Sequence, residues 1–146
     1  MDPLPSFTTS SSPPALPLSQ EARQVFEDLG LDFLREFLEV ELTRHPENVD
    51  ALAELGQIYT RLGRWDDGLA VDRRLVGLLP DNPTAHYNLG CSQALLGREE
   101  EALASLEQAV ELGYDDPEFM QADDDLASLR ERGRFRALLE RIRAGR

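Results

Sequence analysis

Two histidines, one cysteine and a run of three aspartates are the residues of this 146-residue chain whose types suit catalysis or metal binding. His86 and Cys91 stand five apart, which on a helix separates them by about 140°. They cannot share a face, so one helix offers neither a metal site nor a Cys–His nucleophilic pair. Cys91 reads as a small apolar filler. The serines gather at Ser10, Ser11 and Ser12, away from both histidines, which leaves a serine triad unsupported. Asp123-Asp124-Asp125 lacks the alternating oxygens, central glycine and late glutamate of a calcium loop. It reads as helix capping and solvated charge. The expectation is a non-enzyme with no catalytic residue, no cofactor and no metal.

Charge narrows the partners. A net charge of -13 argues against a nucleic-acid ligand, which demands dense cationic contacts. Every positive side chain is an arginine, a usage pointing to a GC-rich, bacterial coding sequence. One cysteine allows no internal disulfide. No stretch approaches the roughly 20 apolar residues of a membrane span, and no signal-peptide pattern opens the chain. Cytoplasmic location is the default. Between Glu99 and Asp125 stand eleven acidic residues and no basic one, and from Arg130 to Arg146 seven arginines face Glu131 and Glu140. This asymmetry predicts an arginine-rich closing helix lying on an acidic final repeat; the alternative is docking on an acidic partner or membrane surface.

The elements that position these residues repeat at one fixed offset. Leu55-Gly56 returns as Leu89-Gly90, and Leu62-Gly63-Arg64 as Leu96-Gly97-Arg98. Leu69-Ala70 returns as Leu103-Ala104, Pro46 as Pro80 and Asn48 as Asn82. Residues 1–18, rich in Ser, Thr and Pro, predict a flexible tail. Ser19 is the expected cap of a first helix that Gly30 stops, with a second helix over Leu31–Arg44 ended by His45-Pro46. Four helices of about 14 residues follow, with breakers at Gly63, Gly97 and Gly113. After Gly113 the pattern changes: a short helix at Pro117, another helix capped by Asp123 or Asp124 that carries Leu126 and Leu129 and ends near Gly133, and a last helix whose Phe135, Leu138, Leu139 and Ile142 form one apolar stripe.

A helical hairpin at this period resembles the tetratricopeptide repeat (TPR), in its bacterial type. Leu52, Leu55-Gly56, Tyr59, Gly63 with Trp65, Gly68 and Pro80 match one repeat; His86, Leu89-Gly90, Gly97, Ala102, Ala109 and Leu112 match the next. Gly56 with Gly68, and Gly90 with Ala102, would let paired helices approach closely, with Tyr59 and Trp65 filling the wider contact. Gln93, Glu99 and Tyr114 depart from the pattern, and so does Asp72, which is expected to be partly exposed or bonded to Arg73 or Arg61. The division predicted is a tail over 1–18, a diverged repeat or capping hairpin over 19–46, repeats over 49–82 and 83–116, and capping helices over 117–146. The fold class is an all-α right-handed solenoid of about three helix pairs.

The resemblance implies a protein-binding module whose concave face takes a peptide or partner helix. Asp50, Ala53, Glu54, Gln57, Thr60 and Arg61 would line it in one repeat. Thr84, Tyr87, Asn88, Cys91, Ala94 and Leu95 would line it in the next, with Tyr87 as an aromatic platform and Asn88 as an amide for a peptide backbone. The acidic balance favours a basic ligand. Alternatives are a small acidic secretion-type chaperone and a structural subunit of a larger assembly. Oligomeric state is not fixed by these residues.

Overall fold

The structure, a computed structural model, describes residues 20–145, without the side chains of residues 22, 23 and 26. The tail over 1–18 and the Ser19 cap lie outside the described residues. Among the described residues there are helices and turns and no strand. The helices are α1 (Gln20–Arg44), α2 (Val49–Arg61), α3 (Trp65–Leu78), α4 (Pro83–Leu95), α5 (Glu99–Glu111), α6 (Pro117–Ala122), a 3₁₀ helix (Asp124–Leu129) and α7 (Gly133–Ala144). From α1 to α5 consecutive helices pack on one another, the 3₁₀ helix packs on α4 and α5, and α7 packs on α5 and α6, giving an all-α solenoid.

The starts keep one register. Val49, Pro83 and Pro117 open α2, α4 and α6, and Trp65, Glu99 and Gly133 open α3, α5 and α7, each separated from the last by the offset between Leu55 and Leu89. The same capping chemistry recurs at this spacing. Asn48 Oδ1 accepts from the Ala51 amide at 3.1 Å, Asn82 Oδ1 from Ala85 at 3.1 Å and Asp116 Oδ1 from Phe119 at 2.9 Å, each satisfying an orphan donor of a first turn. Gly63 (φ 72°) and Gly97 (φ 74°) take the left-handed conformation that closes α2 and α4. The following amides, Arg64 and Arg98, then reach back to the Tyr59 and Gln93 carbonyls at 2.8 and 2.9 Å, the closure a β-carbon disfavours.

Two outcomes differ from the sequence expectation. First, residues 20–44 form one continuous helix, in place of the helical pair divided at Gly30. The position in α1 that corresponds to Gly63 in this register is Leu29, so the slot that needs a left-handed residue holds a leucine. Gly30 stands one position late and has no positive φ. Turning the chain at Leu29 would cost roughly 1–2 kcal/mol, so the helix runs on. Second, residues 117–144 are a third pair in the same register, with its first helix broken. Asp123-Asp124 stand where Leu89-Gly90 stand one repeat earlier. Asp123 is extended (φ -66°, ψ 116°) and caps the 3₁₀ helix through the Asp125 amide at 3.0 Å.

Packing follows the register. A first core cluster joins Leu38 and Leu42 of α1 to Leu52, Leu55, Ile58, Tyr59, Val71 and Leu75. A second joins Leu103, Leu106 and Ala109 to Met120, Leu126, Leu129 and the α7 stripe of Phe135, Leu138, Leu139 and Ile142. Trp65 is 40% exposed and belongs to neither core cluster. The arginine-rich end lies on the acidic repeat: Arg134 bridges Glu100 at 2.5 Å and Glu107 at 3.0 Å, and Arg132 pairs with Glu99. Among the described residues no helix is long and apolar enough to cross a membrane.

Candidate functional site

The site grows from the first turns of the repeats inward. Gly56 in α2 has no side chain, so α3 approaches until Asp72 Oδ1 lies 3.0 Å from where a β-carbon would stand. Asp72 is thereby 5% exposed, and its Oδ2 accepts a 2.5 Å hydrogen bond from the Ser92 hydroxyl of α4. Neither Arg73 nor Arg61 pairs with it; both are exposed. The expectation of partial exposure or an arginine partner is corrected, because the register points Asp72 into the stack, where a hydroxyl from the next repeat is the group within reach. Burial pushes the Asp72 carboxyl up to about 6, against the smaller opposing effect of the Ser92 hydrogen bond.

Tyr87 and Cys91, one turn apart on α4, meet the broken helix of the third pair. The Tyr87 hydroxyl donates to Asp123 Oδ2 at 2.7 Å, and Cys91 Sγ lies 3.8 Å from the same oxygen. The Tyr87 ring stacks on Tyr114, with centroids 4.5 Å apart and planes within 5°, and tilts against Phe119 at 6.1 Å. Burial first, then the nearby carboxylates, pushes the Cys91 thiol up, and burial with the Asp123 contact pushes up the Tyr87 hydroxyl. Both effects favour the neutral thiol over the thiolate at Cys91. Asp125, half-buried beside Asp123 and Asp124, is also raised, by burial first and by those two charges second.

These groups border one cleft of about 90 Å³. Gly56, Gln57 and Thr60 of α2 form one wall, Tyr87, Asn88, Cys91 and Ser92 of α4 another, with Asp72 at the base and Phe119, Asp123 and Asp125 from the third pair. No lining residue is basic. Of the residues expected to line the groove, the cleft brings together Gln57, Thr60, Tyr87, Asn88 and Cys91. Asp50, Ala53, Glu54, Arg61, Thr84, Ala94 and Leu95 do not border it. Tyr87 is no open platform: at 5% exposure, it belongs with Cys91 and Ala94 to the second core cluster. The physical reason is the third pair, whose Phe119 and Asp123 cover that stretch of α4.

Sequence reasoning missed Asp72, Ser92, Asp123 and Asp125 as one constellation. A signal existed: Asp72 occupies the slot of Leu106, and Asp123 that of Leu89, so two carboxylates stand in leucine positions. The ligating atoms of Cys91, Asp123 and Asp125 lie within 4.8 Å of one another. The Cys91 thiol and the Asp125 backbone amide both meet the Asp123 carboxylate. His86, by contrast, hydrogen-bonds the Pro80 carbonyl at 2.7 Å.

Stacked helix pairs with a small-residue seam and a cleft on the first-helix side define a helical-repeat binding scaffold. Tetratricopeptide repeat models match residues 33–83 and 83–116, and the chain belongs to that family, whose repeats are protein-binding modules. A 90-residue stretch is 28% identical to a chloroplastic protein of Arabidopsis thaliana, covering 60% of this chain and 27% of that one. An 80-residue stretch is 32% identical to the TPR repeat-containing thioredoxin TTL4 of the same plant, covering 55% of this chain and 11% of that one. The chain thus spans well under two thirds of either relative.

Proposed function

We propose that the concave cleft captures a partner peptide or helix by one cationic side chain, and that the protein acts as a non-catalytic, cytoplasmic interaction module. The observation that carries this reading is the cleft itself, which sets Asp72, Asp123 and Asp125 around one space and supplies no basic group of its own. A guanidinium or ammonium entering it would gain charge-assisted hydrogen bonds in a partly desolvated place. Gln57 and Asn88 at the walls suit a peptide backbone, with two amides that both donate and accept. The acidic chain would also speed arrival of a basic ligand, an effect that salt screens. The single cysteine is buried against Asp123, which supports a role without thiol chemistry, so the thioredoxin in one relative's name is not carried over.

Selection of a random peptide library on the immobilised protein tests the reading. Recovered peptides should be enriched in arginine or lysine. Asn88→Arg, which places a resident cation beside the cleft, should weaken their binding about tenfold or more while the helical signal stays. Recovery of acidic or wholly apolar peptides, or binding indifferent to Asn88→Arg, would contradict it.

A further inference from the structure

α1 carries two apolar faces, and among the described residues nothing covers one of them. Leu31, Leu34, Leu38 and Leu42 pack towards α2. On the other side Val25, Leu29, Phe33, Phe37 and Val40 are exposed, Phe33 to 74%. Their spacings of four, four, four and three place them on one stripe of the helix. Every residue from Gln20 to Gly30 whose side chain is described is exposed. The described side chains of this first stretch therefore face solvent. A helical piece that short is marginal in water by itself.

The register says what the bare face lacks. Residues 31–44 correspond, one repeat earlier, to α3 and its end, the second helix of a pair. The first helix of that pair would have to fold back over the stripe, and the misplaced glycine prevents the turn. We propose that a second copy of this chain supplies the missing helix: two α1 helices pair antiparallel about a two-fold axis near Phe33. Residues 22–30 of each copy then cover about residues 36–44 of the other.

The stripe matches itself in that arrangement. Val25 meets Val40, Leu29 meets Phe37, and Phe33 meets its twin, the reciprocity a two-fold interface requires. The antiparallel arrangement also brings Glu21 of one copy towards Arg44 of the other at both ends. The five exposed side chains offer on the order of 500 Å² per copy, or about 1,000 Å² for the pair, which reaches the lower range of specific interfaces. Because both copies are acidic overall, salt should strengthen the association.

Sedimentation of the full chain over a concentration series reads this directly. A monomer–dimer equilibrium is expected, and Phe33→Glu with Phe37→Glu should weaken it about a hundredfold or more. Peptide binding at the cleft should survive that variant, so failure here is separable from failure of the proposed function. Phe33→Cys should form an intermolecular disulfide on mild oxidation, and Leu29→Cys should do so only when mixed with Phe37→Cys. A chain monomeric throughout the series would overturn the proposal. So would a double variant that associates as the wild type does, or a Leu29→Cys chain that links to itself. A dimer that appears only after removing residues 1–19 would mean that the chain covers its own stripe, and would overturn the proposal equally.

Discussion

The repeats over 49–82 and 83–116 share a backbone plan and close it with opposite chemistry. In the second repeat, Gly90 admits Leu106, whose Cγ lies 2.9 Å from the site of a β-carbon, and Leu106 is fully buried. In the first, Gly56 admits Asp72 at the corresponding place, 3.0 Å away. The leucine seals the helix pair with apolar surface. The carboxylate keeps the pair close but leaves a charge facing the cleft, at a cost that burial makes plain in its raised protonation. The third pair repeats the lesson, with Asp123 in the slot of Leu89. One register thus yields two leucine-to-aspartate exchanges, both bordering one small space. A scaffold tuned for stability alone would have kept the leucines, since an unpaired buried charge is among the costlier things a core can hold.

The difference between the two seams is breakable. Gly90→Ala would drive a β-carbon against Leu106 Cγ and Cδ2, with the Ala102 carbonyl at 3.3 Å behind them. Backbone and a fully buried leucine cannot both move aside. The expected loss is about 1–3 kcal/mol, read as a lower denaturant midpoint with an unchanged slope. Gly56→Ala meets one carboxylate oxygen at 3.0 Å and otherwise Val71 at 3.7 Å. Alanine's better helix propensity offsets part of that contact, so the loss should stay below about 1 kcal/mol. Equal effects at the two glycines would mean that the seams are not chemically different.

Asp72→Asn sharpens the same contrast through its pH dependence. Asn keeps an acceptor for the Ser92 hydroxyl and removes the charge. Because the folded-state value is raised from 3.8 to about 6, the native protein binds more protons than the unfolded chain between those values. Stability therefore falls as pH rises from about 4 to 6, and the penalty is complete at pH 7. The variant should be more stable than the wild type at pH 7, by about 1–3 kcal/mol, and should lose that advantage near pH 4. Thermal unfolding at the two pH values gives the comparison.

Much of this was legible in the chain. The offset of Leu55-Gly56 to Leu89-Gly90 set the helix pairs, and Gly63, Gly97 and Gly113 end α2, α4 and α5 where their left-handed conformation allows. The third pair was hidden because its register survives in caps and starts, Asp116 and Pro117, while its identities are replaced: Asp123-Asp124 for Leu-Gly and Arg136 for Ala102. Gly30 misled because one position decides whether a glycine closes a helix or merely sits in it. The cleft was hidden for a different reason. Ser92 and Asp72 are twenty residues apart, and Tyr87 and Asp123 thirty-six, and only the stacking of successive pairs brings them together. An exposed-groove reading of α4 could not foresee that Phe119 and Asp123 would cover Tyr87.

The central claim is that Asp72 faces the cleft as an anion awaiting a cation. Carbon-13 NMR of the Asp72 side-chain carboxyl, titrated with pH in the free protein and again with a saturating arginine-bearing peptide from the library, tests it most directly. The account predicts a midpoint near 6 in the free protein that falls by a unit or more, roughly tenfold in proton affinity, when the peptide is bound. A free midpoint in the ordinary carboxylate range, or one that the peptide leaves unmoved, would contradict it.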